Sequence, residues 1–213
     1  MLGPPGAGKG TQAERFAVAR AIPRISTGDI LREAVHEKTE IGLRAKAVMD
    51  RGELVGDDVM IGIVRERLEK QDALGGFVLD GFPRTVAQAS ALDGIMNHRD
   101  PLIVVDIVVP ELELVRRLGT RLICEECGTG APVAAHASDC AKCGGKLVQR
   151  ADDNQAVVLE RLKVYHRQSE PLVEYYRVRP TFRSIDGAQA PDRVAADLAA
   201  AIEAAGNGAG ARG

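Results

Sequence analysis

The chain has 213 residues, 45% hydrophobic and 27% charged, the balance of one globular domain with room for insertions. A net charge of −2 argues against bulk nucleic-acid binding, and 3% aromatics without Trp leave no stacking platform for bases. No apolar run approaches the ~20 residues of a bilayer span and no basic flank leads into an apolar N-terminal stretch, so neither a membrane protein nor a secretory leader is expected, and a cytoplasmic location is.

The chain opens Gly3-Pro4-Pro5-Gly6-Ala7-Gly8-Lys9-Gly10-Thr11, in which Gly3, Gly8 and Lys9 fit the GxxxxGK frame of a phosphate-binding loop. Glycine lets backbone N–H groups turn inward around a phosphate because no Cβ blocks the dihedrals required. A helix from about residue 11 to 19 aims its positive end at the same anion, and Lys9 adds a point charge. Gly10 replaces the usual Ser/Thr after the lysine, which makes Thr11 the candidate hydroxyl beside the phosphates and Mg²⁺.

Residues 22–26 read as a strand, and Ile61, Val64 and Leu68 fall at helical spacing. The run Gly76-Phe77-Val78-Leu79-Asp80 is a short buried strand ending in an acid; Asp80 suits the ordering of Mg²⁺, directly or through water, with a turn carboxylate as the alternative. Residues 102–109 form a second such strand, closed by Pro110. Cys124, Cys127, Cys140 and Cys143 make two CxxC pairs, enough thiolates to close a tetrahedral zinc site; two disulfides are the alternative, disfavoured in a reducing compartment. Such a site is closed and therefore structural. The stretch from about 120 to 153 has little helical or strand pattern and reads as a small zinc-clipped insertion, in which His136 is expected to be a solvated loop residue. Val158, Leu162 and Tyr165 restore a helical stripe, residues 182–186 a strand, and Pro191 starts a helix carrying Val194, Leu198, Ala201 and Ile202. The Ala/Gly-rich residues 204–213 are expected to be frayed or disordered. The alternation is that of an α/β fold.

The phosphate loop, Ser26-Thr27-Gly28-Asp29, and Asp80-Gly81-Phe82-Pro83-Arg84 with Gln88 together resemble the adenylate kinase family, over Gly3 to about Ala201, and the cysteine segment is similar to the zinc-bearing lid of its long bacterial form. The resemblance implies a P-loop, three-layer fold with a parallel sheet flanked by helices and an inserted zinc lid. It implies reversible phosphoryl transfer from ATP-Mg to AMP giving two ADP, with Mg²⁺ and structural Zn²⁺ as cofactors, ATP, AMP and ADP as ligands, and a monomer. The core is then 1–25, 56–119 and 154–203, the AMP-binding segment 26–55, the lid 120–153 and the tail 204–213.

Carried over residue by residue, Gly6, Ala7, Gly8, Lys9, Gly10 and Thr11 belong to the ATP phosphates, Arg117 and Arg121 to the ATP side of the lid entry, and Gln189 to the ATP base. Thr27 and Arg32 belong to the AMP site, as do Glu53, Leu54 and Val55 bordering its base. Gly81, Phe82, Pro83 and Arg84 form the turn that grips AMP, with Arg84 on its phosphate, and Gln88 reads adenine. Arg150 at the lid exit and Arg161 on the next helix complete the set.

Charge supports the same residues. Phosphoryl transfer between two nucleotides gathers many anionic oxygens, and Lys9, Arg84, Arg121, Arg150 and Arg161 supply fixed cations for them. Arg117 and Arg121, four apart, are expected on one helix face. Asp152 and Asp153 are read as a hinge or lid anchor in preference to an acid–base pair, because direct transfer needs none. Three departures from the family pattern stand out. The chain begins Met1-Leu2-Gly3, so a truncated first strand is expected, from a late start assignment or in an unstable or inactive product. The insertion is short, with Gly130 and Ala131 where a lid contact to ATP is usual, and Leu122 replaces a common second arginine. The alternatives are a kinase of another nucleoside monophosphate, a GTP-dependent AMP kinase, a zinc-ribbon nucleic-acid-binding ATPase, and a non-catalytic truncated remnant.

Overall fold

A computed structural model describes residues 1–97, 99–131 and 138–210. His136 lies outside these residues. The phosphate loop leads into α1 (Lys9–Arg20), followed by β1 (Arg24–Ser26), α2 (Thr27–His36), α3 (Glu40–Asp50) and α4 (Asp57–Leu68). Then come β2 (Val78–Asp80), α5 (Val86–Met96), β3 (Val104–Val108) and α6 (Glu111–Gly119). The cysteine segment contributes β4 (Leu122–Cys124) and β5 (Leu147–Gln149), an antiparallel pair. After a 3₁₀ turn at Ala151–Asp153 come α7 (Gln155–Val164), a π turn at Tyr165–Ser169, α8 (Pro171–Arg177), β6 (Phe182–Asp186) and α9 (Pro191–Gly210).

The sheet is parallel and built in two halves. β1 pairs with β2 from Arg24↔Val78 to Ser26↔Asp80, and β3 pairs with β6 from Val104↔Phe182 to Val108↔Asp186. Met1 and Leu2 lie between the halves. The Leu2 N–H donates to Val105 O at 2.8 Å, Leu2 O accepts from the Ile107 N–H at 3.1 Å, and the Met1 amino group donates to Leu79 O at 2.9 Å. Both neighbouring strands therefore find backbone partners beneath the phosphate loop.

Local chemistry sets the element boundaries. Ser26 ends β1 and caps α2, its Oγ accepting from the Asp29 N–H at 3.2 Å, while Asp29 places negative charge at the positive end of the helix. Thr85 caps α5 in the same way, through the Gln88 N–H at 3.1 Å. Two apolar clusters hold the layers. One joins Val105, Ile107, Leu118, Leu162 and Leu198 across β3, α6, α7 and α9. The other joins Ile25, Val64, Leu68, Leu79 and Phe82 across β1, α4 and β2. Each such side chain contributes ~1.5–3 kcal/mol by leaving water.

The four expected strands are all present. In α4 the buried stripe is Met60, Val64 and Leu68, with Ile61 at its margin. α7 ends at Val164, so Tyr165 belongs to the π turn and not to the helical stripe. The tail reading needs correction. Over residues 204–210 the expected fraying is replaced by helix, for α9 continues to Gly210 with Ala205 fully buried, while residues 211–213 lie outside the described residues. Among the described residues no helix is long and apolar enough to cross a membrane.

Gly42, in the first turn of α3, is where α2 crosses closest: a Cβ there falls 2.0 Å from Ala34 O. Gly42→Ala must part the two helices, and a loss of about 1–3 kcal/mol is expected, read as a lower urea midpoint at unchanged slope.

Candidate active site

The loop takes its shape from glycines at two demanding places. Gly3 has φ 131°, and a Cβ on it would stand 2.6 Å from Ile107 O, so the loop hugs β3 only because the side chain is absent. Gly8, at φ 91°, turns the chain into α1, whose first turn no side chain caps. The N–H groups of that turn are thus free to meet an anion. The Lys9 ammonium curls back over the loop to Gly3 O at 2.6 Å and Pro4 O at 2.8 Å. Burial pulls its pKa down to about 8, with Asp80 pushing the other way.

Asp80 ends β2 beside the loop, where Arg24 of β1 donates to its Oδ2 at 2.8 Å. The same Arg24 nitrogen donates to Asp29 Oδ2 at 2.9 Å. This ion pair explains the glycine after Lys9. A Cβ on Gly10 would lie 3.2 Å from Asp80 Oδ2 and 3.3 Å from the Arg24 guanidinium, so Ser or Thr would press on both. Thr11 sits one residue on, exposed, in the first turn of α1. The sequence reading missed Arg24. Its signal was a cation in a three-residue strand whose two other members are buried.

A second cluster faces the loop. The Asp153 carboxylate is fully buried and accepts from Arg121 Nε at 2.7 Å and from Arg161 at 3.0 Å. Arg161 also donates to Asp152 Oδ2 at 3.0 Å. Burial works against ionisation of Asp152, but Arg161, Arg150, Arg121 and Arg32 outweigh it and hold its pKa below the usual range. The guanidiniums themselves outnumber their partners. Arg84 is pushed down to about 10 by burial and then by Arg161, and Arg150 to about 10 by burial and then by Arg32. Both stay charged at neutral pH, and the buried Arg150 Nε has no partner among the described residues. Such crowded positive charge is relieved by a polyanion.

Arg117 and Arg121 do not share a helix face. α6 ends at Gly119, so Arg121 lies beyond it and turns to Asp153. Arg117 turns the other way, to Glu113 at 2.8 Å and Gly187 O at 2.9 Å. Gln189 lies in the same loop after β6, donating to Asp186 O and to Asp197 at 3.0 Å.

A cleft opens between the loop, the start of α2, the segment before α4 and α7, lined by Lys9, Arg32, Leu54, Val55, Arg84 and Arg161 among others. Glu53 also borders it, paired with Arg51, and Arg32 is paired with Asp29. Thr27 Oγ1 donates to Gly81 O at 2.8 Å, and Arg84 Nε donates to the same oxygen at 2.8 Å, which fixes the turn after β2. Gly81 and Pro83 line the cleft. Phe82 does not, its ring being fully buried in the apolar cluster. Gln88 is buried beside a small cavity also lined by Thr27, Val55 and Met60. Its Nε2 donates to Asp57 Oδ1 at 2.8 Å and its Oε1 accepts from the Arg84 N–H at 2.7 Å. Asp57, the first residue of α4, is a second residue that the sequence reading missed, hidden among helix-start signals.

The four cysteine sulfurs lie within 4.8 Å of one another, with Cys124···Cys143 at 3.4 Å and Cys127···Cys140 at 3.7 Å. These separations exclude disulfides and bracket the ~3.8 Å that tetrahedral Zn–S bonds of ~2.3 Å require. The Thr129 hydroxyl beside Cys127 favours its thiolate, lowering its pKa to about 6.

A family model described as adenylate kinase matches residues 1–181. The adenylate kinase of Archaeoglobus fulgidus is 49% identical over 210 residues, covering 95% of this chain and 96% of the relative. Those of Syntrophobacter fumaroxidans and a Geobacillus species are each 50% identical, over 200 and 204 residues, covering 91% and 93% of this chain and 94% of each relative.

Asp153→Ala leaves two guanidiniums without their shared buried carboxylate. We expect a loss of about 3–5 kcal/mol, read from urea unfolding.

Proposed function

The chain belongs to the adenylate kinase family and interconverts ATP plus AMP with two ADP, and we propose that the residues gathered around the phosphate loop carry this transfer. The observation that carries the assignment of roles is the crowd of incompletely matched guanidiniums facing Lys9. The loop N–H groups from Gly6 to Thr11 and the Lys9 ammonium hold the ATP phosphates, with Ala7 packed beneath them in the core. Arg117, reaching from α6 to Gly187 O, and Gln189, in the loop after β6, frame the donor base. On the acceptor side Arg84 and Arg32 meet the AMP phosphate, while Thr27, Glu53, Leu54, Val55, Gly81 and Pro83 enclose the nucleoside. Arg121, Arg150 and Arg161 neutralise charge as the phosphoryl group passes between the nucleotides. No side chain needs to take or give a proton for the in-line transfer itself.

Mg²⁺ accompanies ATP and would supply positive charge to its phosphates. The hard oxygens of Asp80 and Thr11, at the loop end of β2 and in the first turn of α1, suit such an ion. Zn²⁺ fits the four thiolates and would cross-link an insertion too small for a core. We assign 120–153 as a zinc lid and 26–55 as an AMP-binding segment; their closure would keep water from accepting the phosphoryl group. The monomer remains what the family resemblance implies, and thiols kept as ligands suit a reducing compartment such as the cytoplasm.

The test is ADP formation from ATP and AMP with Mg²⁺, with GMP, CMP and UMP as parallel acceptors. Transfer to AMP is the expected result, and absence of transfer to AMP, or transfer to another acceptor in its place, overturns the assignment. In the same assay kcat/KM for ATP should fall as pH rises through about 8, because the free enzyme loses the Lys9 charge that the phosphates need. A chelator, or Cys140→Ser, should lower the thermal midpoint by several degrees while the remaining folded enzyme keeps most of its kcat.

A further inference from the structure

Gln88 is buried, and its amide has already spent half of its hydrogen-bonding capacity on the protein. A glutamine amide offers two lone pairs on Oε1 and two hydrogens on Nε2. Here one lone pair is taken by the Arg84 N–H at 2.7 Å and one hydrogen by Asp57 Oδ1 at 2.8 Å. The two partners are chemically one-sided: a backbone N–H can only donate, and a carboxylate can only accept. We propose that Asp57 and the Arg84 N–H lock the Gln88 amide in one orientation, so that the acceptor base must be a 6-aminopurine and a 6-oxopurine is refused. This inference rests on the reading that Gln88 faces the base of AMP.

The logic is in the edge that remains. The free lone pair on Oε1 and the free hydrogen on Nε2 form an acceptor–donor pair. Adenine presents the complement, an N6 amine hydrogen and the N1 lone pair. Hypoxanthine and guanine present the reverse, an O6 lone pair and an N1 hydrogen, and would need the amide turned over. A turned amide sets Nε2 hydrogens against the Arg84 N–H and Oε1 against the Asp57 carboxylate. Gln88 is 1% exposed, so water cannot relieve either clash. Asp57 cannot easily swing away. Thr85 Oγ1 donates to its other oxygen at 2.9 Å and, as the cap of α5, accepts the Gln88 N–H at 3.1 Å, which closes a ring of bonds between the starts of α4 and α5. The carboxylate also sits at the positive end of α4, where negative charge is favoured. Asp57 is thus a positioning residue: it acts on the base through Gln88.

The probe is inosine monophosphate, which differs from AMP only at the 6-position and the N1 proton and so isolates the edge. The measured quantity is the ratio of kcat/KM for AMP to that for inosine monophosphate, with KM for ATP as a control at the other site. Asp57→Asn keeps the shape but lets the facing group present either oxygen or N–H, and the ratio should narrow at least tenfold. Asp57→Ala removes the acceptor without adding a donor and should narrow it in the same direction, so the idea stays testable if one variant unfolds. A lower rate with both acceptors at an unchanged ratio would mark Asp57 as merely structural and overturn the lock. Gln88→Ala separates the two layers. If it raises KM for AMP and collapses the ratio while both Asp57 variants keep the wild-type ratio, the lock is wrong and the Gln88 reading stands. If Gln88→Ala changes neither KM nor ratio, Gln88 does not face the base, and the lock fails with that reading.

Discussion

The Asp153 carboxylate, fully buried and shared by Arg121 and Arg161, is the interaction on which the site depends. Arg121 comes from the start of the cysteine-bearing insertion, Asp153 from its exit, and Arg161 from the helix that follows. One acid therefore fastens both ends of the insertion to the core and aims two cations at the phosphate loop. Without it, like charges brought this close would repel, and burial would add a desolvation cost to each. Asp152 lends further negative charge to Arg161. The balance still leaves Arg84 and Arg150 under the repulsion of neighbouring arginines, with burial adding to it.

The same reasoning orders the other side of the cleft. Arg24 crosses from β1 to Asp80 at the end of β2, and a side chain on Gly10 would crowd this pair. The departure from the usual loop motif is thus a packing consequence, set by a neighbouring strand. Beneath the loop, Met1 and Leu2 connect the two halves of the sheet through three backbone hydrogen bonds, and Gly3 lies against β3 with no room for a side chain. Binding chemistry at the surface of the loop and backbone geometry beneath it are two faces of one arrangement.

What the sequence carried was whatever depends on residue type at fixed spacing. The glycine frame around Lys9, the paired CxxC knuckles and the four short strands are local, and local chemistry is written in order along the chain. Periodicity misled where burial contradicted it. Residues 204–210 look like a frayed tail by composition, yet Ala205 finds a buried place and the helix runs on to Gly210. Arg117 and Arg121 look like one helix face, yet α6 ends between them, and one bonds Gly187 O while the other bonds Asp153. Phe82 sits inside the turn that lines the cleft through Gly81, Pro83 and Arg84, but its ring is packed in the core.

The sequence alone determined the glycine frame around Lys9, the four-cysteine set, the α/β class and the family, because each rests on a short run or an ordered series of residue types. Only the tertiary structure decided which charges meet. The partners Arg24–Asp80, Arg121–Asp153 and Gln88–Asp57 are separated by 56, 32 and 31 positions in the chain. No periodicity links positions so far apart; strand order and helix crossing bring them together, and burial then makes each pairing strong enough to shape the site.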